Sequence, residues 1–395
     1  MNKKIPLSPP HLSGNELLYI QKALDSNWVA PVGANIDDFQ SKLKHFLNED
    51  VEVAALSSGT VVLHLSLILL GVESGDEVIC QSFTFSASVN PILYQRATPI
   101  LVDSEPDTWN ICPEQLEKAI KDRIKKGKKP KAIILVDLYG MPCKMDELLQ
   151  IAEKYEISVI EDAAEALGSK YKGRACGTFG EAAVLSFNGN KIITCSSGGA
   201  IVSSNQEYIR QAKFYAGQSK DPAPFYKHSK IGYNYQLSNI LAGIGCAQTD
   251  VLEERIERRR EINAFYKSAL GRIDGISFHR EPNESFFSNY WLTAVLLDNQ
   301  KIKSTPLQIC EKMAKHNIEC RPFWNPMHRQ PIFKDVPYYG SGVCEKLFAE
   351  GLCLPSGSNL SEDDLQGIVE RLEEAVNGVV FKQYPTTQGL RLKIN

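Results

Sequence analysis

Between Val51 and Val202, short apolar runs alternate with stretches whose apolar residues recur at helical spacing. Val51–Leu56, Glu77–Cys80, Thr98–Val102, Lys131–Val136 and Ile157–Ile160 are dominated by apolar residues, the pattern of strands buried on both faces. Thr60–Leu70, Pro113–Ile124 and Met145–Tyr155 repeat every three or four residues and predict helices; Pro113 suits a first helical turn. Strand and helix in alternation predict an α/β domain with a mostly parallel sheet. A long helical pattern then runs from about Gln236 to Leu270, and its charged stretch Glu253–Glu261 reads as one solvated face. Beyond it, strands near Ile276–Phe278 and Trp291–Leu297 and helices near Pro306–His316 and Glu362–Val376 predict a smaller α+β unit. The expected division is an N-terminal arm with a large domain over 1–250 and a small C-terminal domain over 251–395.

Composition narrows the function classes. The chain has 395 residues, 43% hydrophobic and 23% charged, as expected of a soluble globular protein. A net charge of −3 provides no electrostatic footprint for nucleic acid. The ten cysteines form no Cys-x-x-Cys pair and no histidine cluster has metal-ligand spacing, so reduced thiols, no metal site and a cytoplasmic setting are expected. The apolar run Val61–Val72 is broken by His64 and Ser66 and falls short of the roughly 20 residues of a membrane span. Pro6, Pro9 and Pro10 interrupt any signal-like segment.

Three places could carry chemistry. Ser57-Ser58-Gly59-Thr60 lies between a strand and a helix, where unpaired backbone N–H groups favour a phosphate; an ordinary helix cap reads the same way. Glu161-Asp162 ends an apolar strand, and one of the two carboxylates must face the crevice where α/β proteins bind ligands. That carboxylate would need a partner, either a protonated ring nitrogen or a structural arginine. Ser186-Phe187-Asn188-Gly189-Asn190-Lys191, followed by Ser196-Ser197-Gly198-Gly199, sets one lysine in a loop of small residues. Such a lysine is either solvated and inert or a nucleophilic amine beside a planar cofactor. Gly243-Ile244-Gly245 begins like a dinucleotide fingerprint, but no strand precedes it, and close helix packing explains it better.

In combination these segments resemble the sugar-nucleotide aminotransferases of the DegT/StrS type, a branch of the aspartate-aminotransferase fold (pyridoxal-phosphate fold type I). The resemblance runs from Pro6 to about Leu360. It rests on Ser58-Gly59-Thr60, Ser82-Phe83-Thr84-Phe85-Ser86-Ala87-Ser88, Glu161-Asp162-Ala163-Ala164, Ser186-Phe187 with Lys191, Gly232-Tyr233-Asn234-Tyr235, and Arg321-Pro322 with Pro326-Met327-His328. Phe187–Thr194 is especially similar to the bacillosamine-pathway branch, which aminates a UDP-linked 4-keto-6-deoxy-N-acetylhexosamine.

The resemblance implies pyridoxal 5′-phosphate (PLP) as cofactor, with Lys191 as the lysine that carries it as a Schiff base. It implies Asp162 at the pyridine nitrogen, Phe85 stacked on the ring, and Ser58, Gly59, Thr60 and Ser186 at the phosphate. Asn234 would reach the phosphate from a second subunit, which implies a homodimer with shared sites. His328 falls in a region associated with substrate, and the expected substrates are a nucleotide sugar and L-glutamate. The chain departs from the commoner pattern at Glu165, a cofactor-site position where His or Gln is usual, at Asp137 in place of His, and at Ser197 in place of Gly. Two other classes stay open. A PLP-fold dehydratase would replace the lysine by histidine, and a non-catalytic scaffold would not need Lys191 and Asp162.

Overall fold

The computed structural model describes residues 3–377; residues 378–395, the end of the expected C-terminal unit, lie outside the described residues. The strand–helix alternation folds into an eight-stranded sheet in the order Glu52–Leu56, Gly199–Ser203, Ala182–Ser186, Ser158–Asp162, Ala132–Val136, Glu77–Gln81, Thr98–Val102 and Tyr338–Tyr339. Gly199–Ser203 runs antiparallel to both its neighbours, and every other pairing in this sheet is parallel. All five residues of Ala132–Val136 and of Glu77–Gln81 are buried, as apolar runs in a covered sheet require. Alternate residues serve the two faces. Ile134 and Val184 pack with Val62 and Leu65 on one side, whereas Ile133 and Leu135 pack with Leu116, Ile120 and Leu148 on the other.

The helix Gly59–Leu69 starts at Ser58, whose Oγ accepts the Val61 N–H at 3.3 Å. A smaller antiparallel sheet follows in the order Ile276–Phe278, Thr293–Leu297, Gly351–Leu354 and Arg321–Pro322. The helices Leu252–Leu270, Pro306–Ala314 and Glu362–Asn377 cover it with one apolar cluster that includes Tyr266, Ile309 and Leu372.

One expectation is corrected. The pattern from Gln236 to Leu270 is two helices, Asn239–Thr249 and Leu252–Leu270, broken at Asp250 and Val251. The first packs against the N-terminal helices Glu16–Asp25 and Ala34–Leu47, where a Cβ on Gly243 would meet Asn35 at 2.7 Å and one on Gly245 would meet Phe39 at 2.8 Å. The run Glu253–Glu261 does present one solvated face, with Glu253, Glu254, Glu257 and Glu261 exposed, while Ile256 and Arg259 are buried on the other. All ten cysteines are unpaired, and no helix among the described residues is long and apolar enough to cross a membrane.

Candidate active site

Parallel strands deliver their C-terminal ends to one edge of the sheet, and loops at that edge enclose a cavity of about 1000 Å³. Ser58, Gly59 and Thr60 enter it after Glu52–Leu56, Phe85 after Glu77–Gln81, Asp162 and Glu165 after Ser158–Asp162, and Ser186 at the end of Ala182–Ser186. The reversed strand explains the position of Lys191. The segment from Phe187 to Gly198 must turn back to start an antiparallel neighbour, and this long return places Lys191 and Ser197 on the cavity wall.

Lys191 Nζ donates to Glu165 Oε1 at 3.0 Å and lies 4.3 Å from the centre of the Trp291 ring. The other Glu165 oxygen accepts the Tyr139 N–H at 2.9 Å. Burial pushes the Glu165 pKa up, against the opposing pull of Lys191. Asp162 is also buried. It accepts Ser88 Oγ–H at 2.7 Å and the Ala164 N–H at 3.2 Å, and burial raises its pKa although the Lys191 charge works the other way. Phe85 is 54% exposed, and its ring centre lies 5.7 Å from that of Trp324.

Alternation along the strand separates the adjacent carboxylates. Asp162 faces the cavity while Glu161 points behind the sheet, where its two oxygens accept the Gly177 and Phe179 N–H groups at 2.7 Å each. Asp137 joins Glu161 there. Its Oδ1 accepts the Cys143 N–H at 2.9 Å, and Val136 takes the cavity wall instead. Asp137, which stands in place of a histidine of the commoner pattern, therefore has its carboxyl buried behind the site and not on the cavity wall.

Two further expected residues lie off the cavity wall of the single chain. His328 is held by Ser82 Oγ at 2.7 Å and Glu345 Oε1 at 3.0 Å and stacks on Tyr338 at 3.8 Å. Asn234 is exposed on a segment bridged to Gly217, with the neighbouring Tyr235 oxygen accepting from Ser57 N. Conversely, sequence reasoning assigned no role to Trp291, Ser88, Tyr139 or the N-terminal residues Pro6–Ser8, all of which line the cavity. Ser88 was within reach of such reasoning, because it closes a motif already singled out. Trp291 read as the start of a core strand, which in fact begins at Thr293.

A model of the DegT/DnrJ/EryC1/StrS aminotransferase family matches residues 10–373. The chain belongs to this family. It is 49% identical over 388 residues to Bacillus subtilis EpsN, provisionally named a pyridoxal phosphate-dependent aminotransferase, covering 97% of this chain and 99% of that one. It is 37% identical over 372 residues to the GDP-perosamine synthase of Escherichia coli O157:H7, covering 94% and 98% of the two chains. The PLP form of Spr1654 of Streptococcus pneumoniae, provisionally named a sugar aminotransferase, superposes with a TM-score of 0.86 at 25% identity, covering 94% and 98%. The protein is thus a sugar aminotransferase of the PLP fold type I, and PLP is its cofactor.

Proposed function

We propose that the enzyme transfers the amino group of L-glutamate to the 4-keto carbon of a nucleotide-linked 4-keto-6-deoxy sugar, with a UDP-linked N-acetylhexosamine as the substrate. The observation that carries this reading is the meeting of the Lys191 amine and the buried Asp162 carboxylate on the walls of one cavity. The wording of Phe187–Thr194 supports the UDP-linked sugar, and the likeness to a GDP-perosamine synthase makes a GDP-linked sugar the rival.

The residues present fit the cofactor. Asp162 has hydrogen-bond donors but no cation at hydrogen-bond distance among the described residues, so a protonated ring nitrogen completes its surroundings. A Cβ on Gly199 would lie 2.6 Å from the backbone of Ser58 and Gly59, and one on Gly59 would meet Ser186 at 3.1 Å. Only small residues keep that corner open. Ser58, Gly59, Thr60 and Ser186 would hold the phosphate, Phe85 the ring face, and Lys191 the covalent link. Bound PLP supplies an electron sink for negative charge at the substrate carbon. Lys191 Nζ carries the proton to and from that carbon, Glu165 orients the amine, and Asp162 holds the proton at the ring nitrogen. Asn234, exposed in one chain, would complete the phosphate site of the other subunit in a homodimer.

A turnover screen with L-glutamate and UDP- and GDP-linked 4-keto-6-deoxy sugars tests the reading. Amination of the UDP-linked N-acetyl sugar with release of 2-oxoglutarate is expected. Preference for a GDP-linked sugar would replace the nucleotide assignment, and failure to aminate any 4-keto sugar would overturn the proposal.

A further inference from the structure

Arg259, on the helix Leu252–Leu270, is 1% exposed, and burial opposes its charge. Among the described residues no carboxylate pairs with it, and its Nε has no acceptor. Its terminal nitrogens donate instead to the Trp291 backbone oxygen and to Ser8 Oγ, the latter at 3.0 Å. A guanidinium held in this way gives up its hydration without a counter-ion in return, so it is a poor source of stability.

The two residues that accept from it also donate to one atom. The Asn190 carbonyl oxygen accepts Ser8 Oγ–H at 2.7 Å and Trp291 Nε1–H at 2.7 Å. Donor chemistry leaves no ambiguity of direction. Arginine and indole nitrogens only donate, so the single Ser8 proton must point at Asn190. Asn190 immediately precedes Lys191, and the Trp291 ring also faces the lysine amine. Ser8 belongs to a segment tied to the small sheet through Leu7 O, which accepts the Ser356 N–H at 2.8 Å. One buried cation therefore holds, from behind, the Ser8 hydroxyl itself and the Trp291 backbone, the two residues whose donors fix the backbone carrying Lys191.

We propose that Arg259 is a positioning residue for Lys191, acting through Ser8 and Trp291 to fix the Asn190 carbonyl from which the lysine swings. The proposal rests on Lys191 being the cofactor lysine. During turnover the amine leaves and returns, so its Cα must stay fixed; a displacement of about 1 Å can cost on the order of a hundredfold in rate.

The test uses PLP-loaded wild type, Ser8→Ala, Arg259→Met, Arg259→Lys and the Ser8→Ala/Arg259→Met double variant. Three readouts are taken: the lysine labelled on borohydride reduction, the pH midpoint of the visible absorbance band, and the single-turnover rate with L-glutamate. Arg259→Met should slow single turnover about tenfold or more, leave the half-saturating glutamate concentration within about twofold, and move the pH midpoint. Ser8→Ala should do the same to a smaller degree, Arg259→Lys should recover part of the loss, and the double variant should lose less than the product of the two single losses, because Arg259 acts in part through Ser8. Independent, multiplying effects of the two substitutions, or wild-type rate and midpoint in Arg259→Met, would overturn the proposal. Label on another lysine would overturn the Lys191 reading instead. Should Arg259→Met fail to fold, Ser8→Ala and Trp291→Phe replace it. Each leaves one donor on Asn190, so their double variant should lose more than the product of the single losses, and the product or less sinks the idea.

Discussion

Replacement of Asp137 by Asn should stabilise the fold, and by more at pH 8 than at pH 5. Asp137, Glu161 and Cys176 place their polar atoms within 4.8 Å of one another behind the sheet, all buried. Asp137 Oδ2 has no hydrogen-bond partner among the described residues. Burial, reinforced by the nearby Asp162 charge, raises the Asp137 pKa from 3.8 to about 6. An acid with a raised folded-state pKa binds its proton more tightly when folded. The fold therefore loses stability as pH rises from about 4 through about 6, and the loss is complete above that range. About two pH units at ~1.4 kcal/mol each give a full cost of about 3 kcal/mol, of which about half is already felt at pH 5. Asparagine has no proton to lose. Its Oδ1 can keep the Cys143 N–H, and its amide can donate to Glu161, whose own pKa burial and Asp137 push up. Urea unfolding followed by fluorescence should show a gain in stability larger by about 1–2 kcal/mol at pH 8 than at pH 5. An equal gain at both pH values, or a loss at pH 8, would refute the buried-carboxylate argument.

Three other outcomes bear on the site. Lys191→Ala should abolish turnover, and borohydride reduction of the wild type followed by peptide mapping should place a pyridoxyl group on Lys191; a label elsewhere refutes the assignment. Asp162→Asn should fold, since Asn Oδ1 can still accept the Ala164 N–H and its amide can donate to Ser88. Its kcat should nevertheless fall by roughly 10²–10⁴, the equivalent of several kcal/mol of barrier, and a loss of only a few-fold would make Asp162 a structural carboxylate. Mixing inactive Lys191→Ala chains with inactive Asn234→Ala chains should restore activity, because a hybrid with shared sites has one intact site; hybrid dimers that stay dead would assign Asn234 to its own subunit.

What was legible in the sequence follows from the range of the interactions involved. Apolar runs reveal buried strands because burial on both faces is a local requirement, and a ligand edge at the strand ends follows from parallel order. That argument was sufficient to put Asp162 and Lys191 on one edge. It is silent on Asp137, because the residue after the strand end can turn to either side and the local pattern does not determine which. The break at Asp250–Val251 was hidden because helical spacing continues on both sides of it. Arg259 was the least visible. In the run from Glu253 to Glu261 it stands between Arg258 and Arg260, of the same residue type, yet those two pair with Glu261 and Glu281 while Arg259 is sealed beneath Ser8, 251 residues away in sequence. Helical periodicity aligns Arg259 with Ile256 and Ile262 and so points it inward, but the guanidinium outweighs that signal in any reading by residue type. Its acceptors exist only once the N-terminal segment and the Trp291 backbone have docked, so its role belongs to the assembled fold and not to any window of the sequence.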